Sequence, residues 1–193
     1  MNKFEARDKL YTFLKRQNIT FQEDTDNGIF RITILYKGYD NCPDELLESC
    51  IFFFEKEMEV RVYYDKTASS WCKNSDHIAN MMRLLNFINA QVWPRSMEHR
   101  NYGLYKSRYL YTPRFFMTED GYYDITLAFV VAYDFYAISA LETEKYITTY
   151  CPEALNKLAP AIFGALLGCL DAEQAIEFVK KDVLNDKKDK VFN

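Results

Sequence analysis

Ile29 to Lys37 alternates side chains in strict twos: Phe30, Ile32, Ile34 and Tyr36 fall on one face, Arg31 and Thr33 on the other. That period belongs to an extended strand with one buried face. It returns at Met58 to Tyr64, where Met58, Val60, Val62 and Tyr64 oppose Glu59 and Arg61. It returns again at Tyr122 to Tyr133, where Tyr123, Ile125, Leu127, Phe129, Val131 and Tyr133 oppose Asp124, Thr126 and Ala128. Turn chemistry flanks each run. Asp24-Thr25-Asp26-Asn27-Gly28 precedes the first and joins it to a strand begun at Ile19 to Glu23. Lys56-Glu57 links Ile51–Glu55 to Met58–Tyr64, and Thr118-Glu119-Asp120-Gly121 links Tyr102–Phe116 to Tyr122–Tyr133. Asn-Gly and Asp-Gly between alternating runs are hairpin signals, and hairpins pair antiparallel.

Helical patterns surround these hairpins. Residues 3 to 17 carry Ala6, Leu10, Phe13 and Leu14 on one stripe, with charges elsewhere. Asn74 or Ser75 can cap a helix through about Val92, which carries Ile78, Met81, Met82, Leu85, Ile88 and Val92; Pro94 stops it. Ser139 with Glu142 predicts a capping box, opening a helix toward Leu158 with a bend at Pro152. A further segment runs past Pro160 to Gly168, and Asp171 with Gln174 starts a last helix through about Leu184. Gly38 to Glu48 reads as a polar connection with a short turn at Pro43, and Thr67 to Asn74 as a loop. The order α-β-β-β-β-α-β-β-α-α predicts an α+β fold, an antiparallel sheet with helices packed on it, rather than a doubly wound parallel sheet. Residues 1–185 are expected to form a single domain, followed by a charged, frayed tail at 186–193.

One run breaks the alternation. Ile51-Phe52-Phe53-Phe54 is apolar on both faces, so either a helix of the same chain or a partner surface must cover the outer one. On the partner reading the contact residues are Ile51 and Phe53, with Tyr105 and Tyr109 a second pair.

A second segment stands apart by charge. Arg95, Arg100, Lys106, Arg108 and Arg114 interleave with Tyr102, Tyr105, Tyr109 and Tyr111. Cations beside stacking rings are the ingredients of a single-stranded nucleic-acid platform, with Lys106, Arg108 and Arg114 as its residues. Alternation argues the other way. Tyr105, Tyr109 and Tyr111 share one face while Lys106 and Arg108 share the other, which suits rings on the core and charges in water. The chain's net charge of −4 adds no global attraction to nucleic acid. A strand here, if it lies at a sheet edge, could pair with a second copy or an extended peptide.

Chemistry is thinly represented. His77 and His99 are the only histidines, and neither has a His or Cys at helical spacing. Cys72, His77 and Asp76 come nearest to a metal set, so no metal or other cofactor is expected. Neither G-x-S-x-G, a Cys-His signature nor a phosphate-cradling glycine loop occurs, and the reading is non-enzymatic. The paired carboxylates Asp24/Asp26 and Glu119/Asp120 fall in predicted turns, where they stabilise the turn. Five scattered cysteines without a CxxC pair suggest reduced thiols, and Cys50 and Cys169 read as small core residues. Met1-Asn2-Lys3-Phe4 opens directly into the first helix without a signal-peptide core, and no apolar stretch approaches a membrane span. A cytoplasmic location is expected.

Two stretches carry a family resemblance. One is Arg114-Phe115-Phe116-Met117-Thr118-Glu119-Asp120-Gly121, continuing through Tyr123 to Tyr133. The other is Tyr150-Cys151-Pro152-Glu153-Ala154-Leu155, Pro160-Ala161-Ile162-Phe163, Gly168 and Asp171-Ala172-Glu173-Gln174-Ala175-Ile176. Together they resemble the bacterial YbjN-like family, whose fold is similar to type III secretion chaperones: helix, three strands, helix, two strands, helix. The resemblance spans roughly residues 75 to 180 by motif. This chain departs from the pattern in its extra length, its 15 Phe and 15 Tyr, and its long 38–48 connection. The resemblance implies a small acidic domain, often a homodimer, that engages a protein partner and has no established enzymatic activity. It carries no catalytic residue onto this chain.

Overall fold

The computed structural model describes residues 1–92 and 111–184. Helix α1 (Lys3–Arg16) starts on a capping box, in which the Asn2 side chain accepts from the Glu5 amide and Glu5 accepts from the Asn2 amide. Its stripe of Ala6, Leu10, Phe13 and Leu14 is buried, as the spacing predicts. Strand β1 (Phe21–Asp26) pairs with β2 (Ile29–Lys37) through Asn27-Gly28, both at positive φ, 50° and 81°. This is the two-residue turn whose twist suits a hairpin, and glycine takes the second position without strain.

The first strand thus begins and ends later than the sequence suggests, because the turn uses Asn27-Gly28 alone. Strands β3 (Leu46–Phe53) and β4 (Glu57–Tyr64) form the second hairpin. Where the sequence suggests a loop, α2 (Lys66–Asn74) forms instead, capped by Asp65, whose carboxylate accepts from the Thr67 and Ala68 amides. Helix α3 (Ile78–Gln91) follows. Of the predicted strand Tyr102–Phe116, residues 102–110 lie outside the described residues; β5 (Arg114–Met117) is its end, paired with β6 (Ile125–Ala132).

The chain then turns helical at once. Helices α4 (Tyr133–Ile138) and α5 (Ala140–Lys145) lead through a π turn (Tyr146–Tyr150) into α6 (Cys151–Leu166). The Ser139 side chain makes no capping bond, contrary to the predicted box; Ser139 also ends α4, and its backbone (φ −121°, ψ 42°) is not the extended one a cap residue takes. Pro152 lies where the π turn passes into α6, and Tyr150 and Cys151 before it are already helical, so the proline falls at a widened turn of one helical run. Helix α7 (Ala172–Phe178) carries the expected Asp171/Gln174 box and runs into a second π turn, Val179–Val183.

Among the described residues the strands make one antiparallel sheet in the order β1-β2-β3-β4-β6-β5. The alternating apolar residues all point to one side. Ile32 pairs with Ile51, Ile51 with Val60, Val60 with Phe129, and Leu127 with Phe115, giving a continuous buried layer beneath the helices. Tyrosines tie the two layers together: Tyr64 donates to the Leu155 carbonyl at 2.7 Å, Tyr36 to the Ile147 carbonyl at 3.2 Å. A buried phenol that keeps its hydrogen bond joins a large apolar body to a satisfied polar tip. The fold is therefore α+β, with an antiparallel sheet and helices packed on it.

Candidate functional site

The opposite face of the sheet carries the other half of each alternation. From β2 it receives Arg31, Thr33 and Leu35; from β3, Leu46, Glu48, Cys50 and Phe52; from β4, Glu59, Arg61 and Tyr63. A groove of about 890 Å³ runs over this face. Its floor is β2–β3–β4, and its walls are one side of α2 (Lys66, Ser69, Lys73) and the β5–β6 turn (Thr118, Tyr122, Asp124). The Ser69 hydroxyl donates to Asp124 Oδ1 at 2.6 Å, which ties the two walls together.

The floor mixes rings with pre-paired charges. Arg31 donates to Asp24 at 2.8 and 2.5 Å and lies 3.6 Å from Asp26. These bonds hold the Asp24 carboxyl below its ordinary value and the Arg31 guanidinium above its own. Arg61 donates to Glu59 at 2.7 Å and lies 5.5 Å over the Phe52 ring. A polar ladder crosses the three central strands. Thr33 Oγ1 meets Cys50 Sγ at 3.6 Å, Cys50 Sγ meets the Tyr63 hydroxyl at 3.3 Å, and Tyr63 donates to Glu48. Burial, reinforced by the thiol and the carboxylate, pushes the Tyr63 phenol well above its ordinary value. At neutral pH it stays a neutral donor, and Glu48 accepts from both the phenol and, at 3.9 Å, Cys50 Sγ. Leu35 is 46% exposed and Phe52 half-buried, so apolar surface reaches solvent between fixed polar groups.

The sequence-predicted contact residues sit elsewhere. Ile51 and Phe53 are 0% and 2% exposed, on the face the helices cover. This corrects the partner-contact assignment: residues 51 and 53 share the period of Leu47 and Ser49, and the pleat sends Phe52 to the groove instead. Tyr105, Tyr109, Lys106 and Arg108 lie outside the described residues, as do Arg95, Arg100, Tyr102 and His99. Arg114 is exposed on β5, on the same face as the groove. Tyr111 turns into the core, its ring stacked 4.2 Å from Tyr146 and its hydroxyl 2.8 Å from Thr143. Cys50 is buried yet lines the groove, whereas Cys169 is exposed rather than a core residue. It follows the end of α6, where Gly168 turns the chain outward.

The groove itself was missed from sequence. Its signal was the apolar intruder on the polar face, Phe52 beside Glu48 and Arg61, but local pattern does not show which face the helices take. Among the described residues no three His, Cys, Asp or Glu side chains gather as a metal set, and no helix is long and apolar enough to cross a membrane. No family model matches this chain, and neither a curated protein nor a solved structure does.

Proposed function

We propose that this chain is a non-enzymatic protein–protein interaction module, a chaperone-like or regulatory adaptor that holds a segment of a partner protein, acting in the cytoplasm as a homodimer. The observation that carries the reading is the groove over the second face of the sheet, where Leu35, Phe52 and Tyr63 present apolar surface beside Arg31 and Arg61, each paired with a carboxylate. Interfaces of this kind gain from burying rings, and pairing of Arg31 and Arg61 within the chain means that neither is left as a lone charge when covered. The secretion-chaperone-like architecture implied by the YbjN-like resemblance belongs to the same proposal. The α+β order, with hairpins ahead of a helix-rich end, is compatible with it.

The test is a double variant, Leu35→Glu with Phe52→Glu, beside the unaltered chain. Light scattering gives the oligomeric state, and mass spectrometry identifies proteins that co-purify. The expected result is a dimer carrying a protein client that the variant loses while its circular dichroism stays the same. A client retained in full by the variant, or a clean monomer with no protein bound, would refute the reading.

A further inference from the structure

Among the described residues the six-stranded sheet has two edges, β1 and β5, and the two are finished differently. At the β5 edge, Asn89 of α3 brackets Phe115: its amide Nδ2 donates to the Phe115 carbonyl at 2.9 Å, and Oδ1 accepts from the Phe115 N–H at 2.7 Å. Those are the two bonds a residue of a neighbouring strand would make, so a side chain already occupies the centre of this edge.

Among the described residues nothing guards the β1 edge in this way. The Asn27-Gly28 turn makes Asp26 and Ile29 the closing pair, which exchanges both hydrogen bonds in a two-residue hairpin. Alternation then directs the N–H and C=O of Gln22, Asp24 and Asp26 toward β2 and those of Phe21, Glu23 and Thr25 outward. Among the described residues no backbone bond from elsewhere reaches these outward groups. The strand holds neither Pro nor Lys; its edge protection is the negative charge of Glu23, Asp24 and Asp26, which repels like strands but not a basic one.

Charge and shape say what fits there. On the groove face Asp24 and Asp26 share the single cation Arg31, which leaves that side net negative; on the helix face Glu23 is exposed and has no ion-pair partner among the described residues. The helix face also offers Phe21 and Tyr11, rings 5.2 Å apart, with Lys15 within 5.7 Å of both. Pairing of β1 with the β1 of a second copy would set Glu23, Asp24 and Asp26 against their own kind, and like charges across strands repel.

We infer that β1 is the docking edge for a basic, extended peptide segment, added as a seventh strand. Its Lys or Arg side chains face Asp24 and Asp26, and its alternate apolar side chains lie toward Tyr11 and Phe21. The inference rests on the partner-segment reading above; the edge adjoins the groove at Asp26 and Arg31 but uses neither Leu35 nor Phe52, so the two fail separately.

The experiment is fluorescence anisotropy on the full chain with an alternating Lys-Val peptide long enough to span β1. Controls are the Glu-Val counterpart and a Lys-Val peptide N-methylated on the side that would face β1. The Lys-Val peptide is expected to bind and the Glu-Val peptide not. N-methylation is expected to weaken binding by about tenfold or more, because charge is kept while backbone donors are lost. Thr25→Pro removes one outward N–H without touching the β1–β2 ladder and is expected to weaken binding comparably. If Thr25→Pro fails to fold, the methylated peptide decides the matter on the unaltered chain. Equal binding of the Glu-Val peptide, or a methylated peptide within about twofold of its parent, overturns the inference. So does a dimer that Thr25→Pro converts to monomer, since the edge would then serve a second copy. Retention of peptide binding by the Leu35→Glu, Phe52→Glu variant is expected and separates this edge from the groove.

Discussion

Phe52 and Phe53 are neighbours in sequence on opposite faces of β3, and truncating each tests which face is the core. Phe53 is 2% exposed, paired across the sheet with Phe30 and Met58. A phenylalanine buries about 200 Å², and at ~25 cal/mol/Å² its full transfer is worth ~5 kcal/mol as an upper bound. Phe53→Ala is therefore expected to lose about 3–5 kcal/mol, including the cavity it leaves. That is a large part of the ~5–15 kcal/mol by which a domain is usually stable. Phe52 is half-buried in the groove floor, with Arg61 over its ring. Phe52→Ala is expected to lose about 1 kcal/mol, part of it the cation–ring contact. Urea denaturation followed by circular dichroism reads the difference: with m near 2–3 kcal/mol/M, the two midpoints separate by about 1 M or more. Equal midpoints would refute the facing of β3 and return Phe53 to the candidate contact surface.

Asn89→Ala removes both bonds to the Phe115 backbone; because Asn89 is exposed and water can replace it, the loss is about 1–2 kcal/mol, with faster hydrogen exchange at the Phe115 amide as the specific readout. Gly168→Ala places a side chain at φ +74°, where its Cβ would overlap the His77 ring; a loss of about 1–2 kcal/mol is expected by thermal melting, and His77→Ala in the same chain relieves only the steric part. Burial pushes the Glu144 carboxyl up while Tyr136 donates to it at 2.9 Å. A folded-state pKa above the unfolded value near ~4.3 favours folding below that pH and loses that support as pH rises through the folded value. Glu144→Gln, which keeps an acceptor for Tyr136, is thus expected to raise Tm at pH 7 and lose that advantage toward pH 4. Asp24 has the opposite sign: Arg31 holds its pKa down, so its stabilisation is present above the unfolded value near ~3.9 and fades as pH falls through the folded one. Arg31→Gln is expected to matter at pH 7 and to become silent in acid, measured by the same melts.

Much of the strand layer was written in local pattern. The two-residue period of Ile29–Lys37 and Met58–Tyr64 named the buried face of β2 and β4 correctly, and Ile125, Leu127, Phe129 and Val131 likewise share the core face of β6. Asn27-Gly28 marked a turn because few residues other than glycine hold a positive φ without strain. The Asp171/Gln174 box was legible for the same reason: its partners are three residues apart. Lys66–Asn74 was misread because the helix is short and mostly polar, its start set by the Asp65 cap and its buried stripe only Ala68, Ser69 and Cys72. Ile51-Phe52-Phe53-Phe54 resisted the reading because both faces look alike, and only the register to Phe30 and Met58 assigns them.

What the sequence determined, then, is the hairpins, their inward faces and the antiparallel class, since each depends on residues a few positions apart. Tertiary structure alone decided that β6 lies beside β4, that β1 and β5 are the edges among the described residues, that Asn89 closes one of them, and that a groove opens between α2 and the β5–β6 turn. Those outcomes compare burial across whole layers and pair groups far apart in the chain, and a local period carries no term for either.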